Sequence, residues 1–111
     1  YGINNKKLVQ VIGEMEKHTE PPLSTLELAS SARVTRRQLE RLFRLHLNQT
    51  PSSFYLDLRL DKARQLLCQT DMSVTEVSMA CGFDLPSYFA RRYKRRFGVC
   101  PREERRALRV Q

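Results

Sequence analysis

The sequence predicts an all-α fold of about seven helices, with two helix-turn-helix units joined by a long linker helix in a tandem, homeodomain-like arrangement. Three observations support this prediction. Apolar residues recur at helical spacing through almost all of the 111 residues, and no useful stretch alternates as a strand does. Caps and stops divide that pattern into short helices. The same order of caps, apolar positions and stops occurs twice, about 50 residues apart.

In the N-terminal half, local signals set the helix boundaries. A first helix is predicted over about residues 5–18, where four apolar residues share one face: Leu8, Val11, Ile12 and Met15. Ser24 opens a capping box of the form Ser-x-x-Glu, which predicts the start of a short helix. Thr35 opens a second box, of the form Thr-x-x-Gln, and predicts a helix over 35–47. Asn48 predicts the end of that helix, because Asn tolerates the left-handed conformation.

The C-terminal half carries signals of the same kinds. A proline at the first helical position predicts a long helix over about 51–69. Ser73 opens a third capping box, and another proline opens a helix over 86–97. Gly98 predicts the end of that helix, and Pro101 opens a last short one over 101–109.

These boundaries predict how the chain is divided. Four segments are expected: an N-terminal helix packing on the first unit (1–20), the first helix-turn-helix (21–50), the linker helix (51–70), and the second helix-turn-helix with a C-terminal helix (71–111). The sequence begins with Tyr1 rather than Met, which predicts a fragment of a longer protein.

The repeated unit is a short helix, a tight turn and a second helix. Small residues stand where the two helices must approach closely, and one apolar residue plugs the turn. The small residues are Ala29 and Ala32 in the first copy and Ser78 and Cys81 in the second, and the plugs are Val34 and Phe83. A steep crossing of this kind leaves the second helix protruding, so that it can enter a major groove.

Basic residues are concentrated on the second helix of each unit. The chain carries a net charge of +8, from 20 Lys and Arg against 12 Asp and Glu, which predicts a polyanionic partner. With Leu39 and Phe43 facing inward, the helix over 35–47 turns outward Arg36, Arg37, Glu40, Arg41 and Arg44. With Phe89 facing inward, the helix over 86–97 turns outward Ser87, Tyr88, Arg91, Arg92 and Arg95.

Several classes of protein are disfavoured. No stretch approaches the ~20 apolar residues of a membrane span, and the three cysteines lack paired spacing, which favours reduced thiols over a zinc site. No catalytic set or phosphate-binding loop occurs, so neither an enzyme nor a cofactor is expected. A basic helical module for protein or RNA interaction is the remaining alternative to a reader of duplex DNA.

The quoted residues resemble the C-terminal domain of the arabinose-regulator (AraC/XylS) family of transcription factors, over about residues 23–109. The similar stretches are Leu26 to Pro51, Ser73 to Phe83, Ser87-Tyr88-Phe89, Tyr93 to Gly98, and Pro101. The run Arg37 to Phe43, with Leu58-Arg59-Leu60 and Ala63-Arg64, is most similar to a subgroup whose N-terminal domain resembles a class I glutamine amidotransferase. Those regulators respond to arginine, glycine betaine or carnitine.

The resemblance implies that the two units reach successive major grooves, about 34 Å apart on one face of the duplex. Its recognition positions fall on Arg37, Glu40 and Arg41 in the first unit and on Pro86, Ser87, Tyr88 and Arg91 in the second. Two residues depart from the family pattern. Pro86 has no polar group for a contact, and Cys100 stands where Thr or Ser usually caps the last helix.

Individual roles follow from side-chain chemistry. Arg37 and Arg41 are expected either to read guanine or to contact phosphate only, and Arg91 is expected to read a base in the second unit. Glu40 either accepts from a cytosine amine or orients a neighbouring Arg, and Tyr88 either touches DNA or packs partly inward. Four residues are expected to contact phosphate: Arg36, Arg44, Arg92 and Arg95.

Basic residues outside these two faces receive other roles. Arg59 and Arg64 of the linker helix are expected to brace the two units through acids such as Asp57 and Asp61. A C-terminal basic tail either adds affinity for the DNA backbone or is a solvated helix end: Arg102, Arg105, Arg106 and Arg109.

The expected partner is double-stranded DNA of an operator or promoter, in the cytoplasm and nucleoid of a bacterium. RNA polymerase is left open as a further partner. No membrane and no small-molecule ligand are expected for this segment.

Overall fold

The computed structural model describes residues 5–110, without the side chains of residues 109 and 110. The side chain of Arg109 in the predicted tail, residues 1–4 of the predicted first segment and residue 111 of the last therefore lie outside the described part. Seven α-helices form within it: α1 Lys6–Lys17, α2 Thr25–Ser31, α3 Arg36–Leu47, α4 Pro51–Gln69, α5 Val74–Ala80, α6 Pro86–Phe97 and α7 Pro101–Val110. The predicted all-α fold is confirmed.

All three predicted capping boxes are present. The hydroxyl of Ser24 accepts the Glu27 N–H at 3.1 Å, and the Glu27 carboxylate accepts the Ser24 N–H at 3.0 Å. Thr35 and Ser73 close their boxes in the same way. The bond from the backbone N–H of the capping serine holds the pKa of the Glu27 carboxyl below its ordinary value, and the pKa of Glu76 is lowered likewise. These bonds fix where α2, α3 and α5 begin.

Left-handed residues end both protruding helices, as predicted. Asn48 follows α3 with φ 51°, and Gly98 follows α6 with φ 83°. Each donates its N–H back into the helix, to Arg44 O in α3 and to Lys94 O in α6. The helices therefore stop at residues that take this conformation easily.

The chain divides within α4 into two compact units, one ending at Leu58 and the other beginning at Arg59. In the first unit, the predicted stripe of α1 is buried against α2 and α3, together with Phe43 and Phe54. The rings of Phe43 and Phe54 meet edge to face, with centroids 5.6 Å apart. Tyr55 lies beside them, and its hydroxyl donates to His18 O and accepts from Leu23 N–H. An apolar core and one phenol thus join α1, α2 and the start of α4.

In the second unit, charged and polar side chains join α4, α6 and α7. The Tyr93 hydroxyl donates to Glu104 at 2.5 Å, and Arg64 donates to the other oxygen of that buried carboxylate at 2.6 Å. Arg96 holds Asp61 through two bonds of 2.8 and 3.0 Å. The predicted partners of Arg64 were therefore wrong: Arg64 pairs with Glu104 because α7 brings that carboxylate into the core, and Asp61 pairs with Arg96.

Arg105 is also placed differently from the prediction. It is half-buried, and its guanidinium donates to three backbone oxygens, those of Leu67, Thr70 and Met72. The carbonyls at the end of α4 have no helical partner, and Arg105 supplies one. Tyr55, about 50 residues earlier, bridges the end of α1 in the same way. Arg105 is thus part of the fold rather than of a solvated tail.

We expect Gly13→Ala and Gly98→Ala to change stability in opposite directions. A Cβ added at either position meets no atom within 4 Å, so only the backbone conformation matters. Gly13 lies inside α1, where Ala is favoured by about 1 kcal/mol. Gly98 has φ 83°, where a Cβ is strained by roughly 1–2 kcal/mol. Urea unfolding measures both free energies, and a change of the same sign in both variants would contradict this account.

Candidate nucleic-acid interface

The two turns are closed by the same backbone hydrogen bond. The Val34 N–H donates to Ala29 O at 3.1 Å, and the Phe83 N–H donates to Ser78 O at 3.0 Å. Ala29 and Ser78, two of the small residues predicted at the close approach of the helices, are buried at these closures. The predicted helix-turn-helix is therefore present in both units, with α3 and α6 as the second helices.

One residue in each turn has a positive φ. In the second unit it is Gly82, with φ 82°, and glycine takes this conformation easily. In the first unit it is Arg33, with φ 56°. No sequence signal indicated this conformation for Arg33, because arginine has no preference for it.

The outward face of α3 is formed by the residues expected there. Leu39 and Phe43 are fully buried, and five side chains on the other side are exposed: Arg36, Arg37, Glu40, Arg41 and Arg44. The last four of these border an open depression of about 370 Å³ with Gln49 and Thr50. Three arginines thus face one concave surface, which suits an anionic group.

Glu40 forms an ion pair with Arg36. The Glu40 carboxylate accepts from Arg36 Nε at 2.9 Å, one helical turn away. Both side chains are at least half exposed, so water screens the pair and it contributes little to stability. Of the two roles left open for Glu40, this geometry is the orienting one, with Arg36 as its partner.

The outward face of α6 carries no acid. Ser87, Tyr88, Arg91 and Arg95 are exposed. Tyr88 is 37% exposed and its ring centroid lies 6.3 Å from that of Phe83, so it packs partly inward while still reaching the surface. Pro86 stands at the first position of α6, where no side chain caps the helix.

Arg92 differs from the outward orientation predicted for it. The side chain is half-buried, and its Nε is buried without a hydrogen-bond partner among the described residues. Arg92 follows Phe89 by three positions, which places it on the flank of the inward face rather than opposite to it.

Burial and hydrogen bonding shift the pKa values of Tyr93 in α6 and Arg64 in α4. Desolvation raises the pKa of the Tyr93 phenol far above its ordinary value, and the hydrogen bond to Glu104 raises it further. The same bond network raises the pKa of Arg64, chiefly through the hydrogen bond to Glu104. Tyr93 is therefore a protonated donor, and Glu104 fixes α6 against α4 and α7.

Other kinds of site have no geometric support in the described part of the chain. Residues 5–110 contain no group of three or more His, Cys, Asp or Glu placed to hold a metal ion. The three cysteines are free thiols, and burial raises the pKa of Cys81. No described helix is long and apolar enough to cross a membrane.

Known proteins are similar to this chain in sequence. The helix-turn-helix domain family matches residues 28–107. Two transcriptional regulators of the HTH type from Pseudomonas aeruginosa are similar: CdhR is 69% identical over 97% of this chain, and ArgR is 46% identical over 94%. The chain spans 32% of the length of each.

Solved structures of similar domains have the same fold as this chain. A regulator from Chromobacterium violaceum, described as having an AraC-type DNA-binding domain, is 46% identical and superposes with a TM-score of 0.89, covering 92% of this chain and 91% of that one. The DNA-binding domain of AdpA, solved in complex with a target DNA, is 29% identical with a TM-score of 0.88, covering 96% of each chain.

We expect Glu104→Ala to destabilise the domain by about 1–3 kcal/mol, because the buried Tyr93 hydroxyl loses its acceptor. Glu103→Ala, an exposed neighbour on α7, is the matched control and is expected to change stability by less than about 0.5 kcal/mol. Urea denaturation gives both values. Equal effects of the two substitutions would show that the Glu104 network does not hold α6.

Proposed function

This chain belongs to the helix-turn-helix domain family, of the AraC type, and from that premise we propose that it binds double-stranded DNA sequence-specifically as the DNA-binding domain of a bacterial transcription regulator. One observation supports this most: the second helix of each helix-turn-helix unit is buried on one side and exposes arginines on the other. A basic face that was only solvated would have no reason to recur on the same helix of both units.

In the first unit, α3 is proposed to enter a major groove. Arg37 and Arg41 lie one turn apart on its outward face and reach guanine edges through their planar forks. Glu40 orients Arg36 toward a phosphate, and Arg44 contacts the backbone further along.

In the second unit, α6 is proposed to enter the next groove, about 34 Å along the duplex. Arg91 reads a base, with Ser87 and Tyr88 beside it, and Arg95 contacts phosphate. Arg92 would meet phosphate only with its terminal nitrogens, because its Nε is buried. Pro86 offers no polar side-chain contact, so this unit relies more on contacts with the DNA phosphate backbone.

For the whole protein, the proposal extends to the subgroup suggested by the sequence. The chain corresponds to about a third of the relatives' length, so an amidotransferase-like domain and its effector would lie elsewhere. The protein would act in the cytoplasm and nucleoid and contact RNA polymerase at the promoter. Fluorescence titration of the full-length protein with arginine, glycine betaine and carnitine tests the effector, and co-purification on promoter DNA tests the polymerase contact. No response to any of the three would reject the subgroup.

A competition experiment tests DNA binding itself. A labelled duplex shifted by the domain is challenged with unlabelled duplex, single-stranded DNA and structured RNA. Duplex DNA is expected to compete best, because α3 and α6 fit the wide major groove of B-form DNA. The major groove of A-form RNA is too narrow for side chains to read. Stronger competition by RNA would favour the RNA-interaction alternative.

We expect Arg41→Ala to weaken binding to the preferred site by about 1–3 kcal/mol and to relax base preference at one position. Lys17→Ala, exposed on α1 of the same unit, is the control and is expected to leave base preference unchanged. Anisotropy titrations on preferred and random duplexes measure both. If Arg41→Ala weakens binding to the two duplexes equally, Arg41 contacts only phosphate.

We expect Glu40→Gln to strengthen binding to random duplex and to steepen its salt dependence by about one phosphate equivalent, since the Glu40 carboxylate no longer offsets the charge of Arg36 at the phosphate. Titrations between about 50 and 200 mM salt measure the slope. A Glu40→Gln variant with an unchanged slope and weaker binding to the preferred site would instead assign Glu40 to a cytosine.

A further inference from the structure

Leu45 is exposed on the outward face of α3. Its side chain is 71% exposed, more than any other large apolar side chain that the structure describes. The other apolar residues of α3 are accounted for by the core: Leu39 and Phe43 are buried, and Leu42 and Leu47 pack against the same cluster. Leu45 makes no contribution of that kind.

The position of Leu45 relates it to the predicted base-reading residues. It follows Arg41 by four residues, so the two side chains lie one above the other on the same face of the helix. Arg41 borders the concave surface described above, and Leu45 lies outside the residues that line it, one turn nearer the end of α3. A duplex lying against Arg41 would therefore reach Leu45 as well.

The second unit carries a cation at the equivalent position. Arg95 stands about 50 residues after Leu45 and is exposed on α6. Leucine in the first unit gives up the phosphate contact that an arginine could make there, and on this face only an apolar partner would compensate.

The edges of the base pairs in a major groove offer one prominent apolar group, the C5-methyl of thymine. We propose that Leu45 is a specificity-determining residue that packs against a thymine methyl beside the base pair met by Arg41. The inference rests on the proposed DNA-binding function and adds to it a residue and a chemical group. It also predicts that the two units differ in base preference, because only the first has an apolar side chain at this position.

The test removes the methyl group alone. A preferred site is selected from random duplexes, and each of its thymines is replaced singly by deoxyuridine. Binding is measured by anisotropy for the wild-type domain, for Leu45→Ala and for Leu26→Ala. Leu26 is the matched control, a leucine 64% exposed on α2 of the same unit. Because Leu45 and Leu26 are both exposed, neither variant is expected to unfold, and thermal denaturation checks this.

At one thymine, deoxyuridine is expected to weaken wild-type binding about fourfold, the equivalent of one buried methyl group. Leu45→Ala is expected to bind the two duplexes equally, whereas Leu26→Ala keeps the wild-type loss. The inference is overturned if no replacement weakens the wild type, if every loss persists in Leu45→Ala, or if the selected site has no thymine. A wild-type domain that selects no duplex at all would overturn the proposed function itself.

Discussion

One backbone hydrogen bond in each turn determines where the outward-facing helices lie. The bonds from Val34 to Ala29 and from Phe83 to Ser78 close the ends of α2 and α5 and set the direction in which the chain leaves each helix. This closure requires a left-handed residue in the turn, which is Arg33 in the first unit and Gly82 in the second. Leu39 and Phe89 can then be buried, and the opposite faces of α3 and α6 are left for the arginines.

The two units hold their second helices by different chemistry. Phe43 packs on Phe54 in the first unit, whereas the equivalent Tyr93 donates to Glu104 in the second. Several arginines of the second unit thereby serve the fold: Arg64, Arg96 and Arg105. The net charge of the chain therefore overstates the positive charge that is available at the proposed interface. The exposed arginines of α3 and α6 are a better measure of that charge.

The fold could be predicted from the sequence because its signals are local. The capping boxes of Ser24, Thr35 and Ser73 and the left-handed stops depend on residues close together in the chain, and each is present. The partners of Arg64 and Arg105 could not be predicted, because a side chain that bonds to a carboxylate or a backbone carbonyl 33 to 40 residues away depends on tertiary packing. The conformation of Arg33 has no signal in its residue type.

Helical periodicity correctly predicted which site residues are exposed, except for Arg92. Arg92 lies at the border of the inward face, where periodicity alone does not separate buried from exposed positions. The pairing of Glu40 with Arg36 was one of several that helical spacing allowed. Which bases the exposed side chains meet depends on the duplex as well as on the chain.

Selection of bound molecules from a random duplex library tests most directly whether both units of this chain read DNA. Two short conserved boxes are expected, with centres about one helical turn apart. A single box, or a selected pool with no conserved sequence, would contradict it.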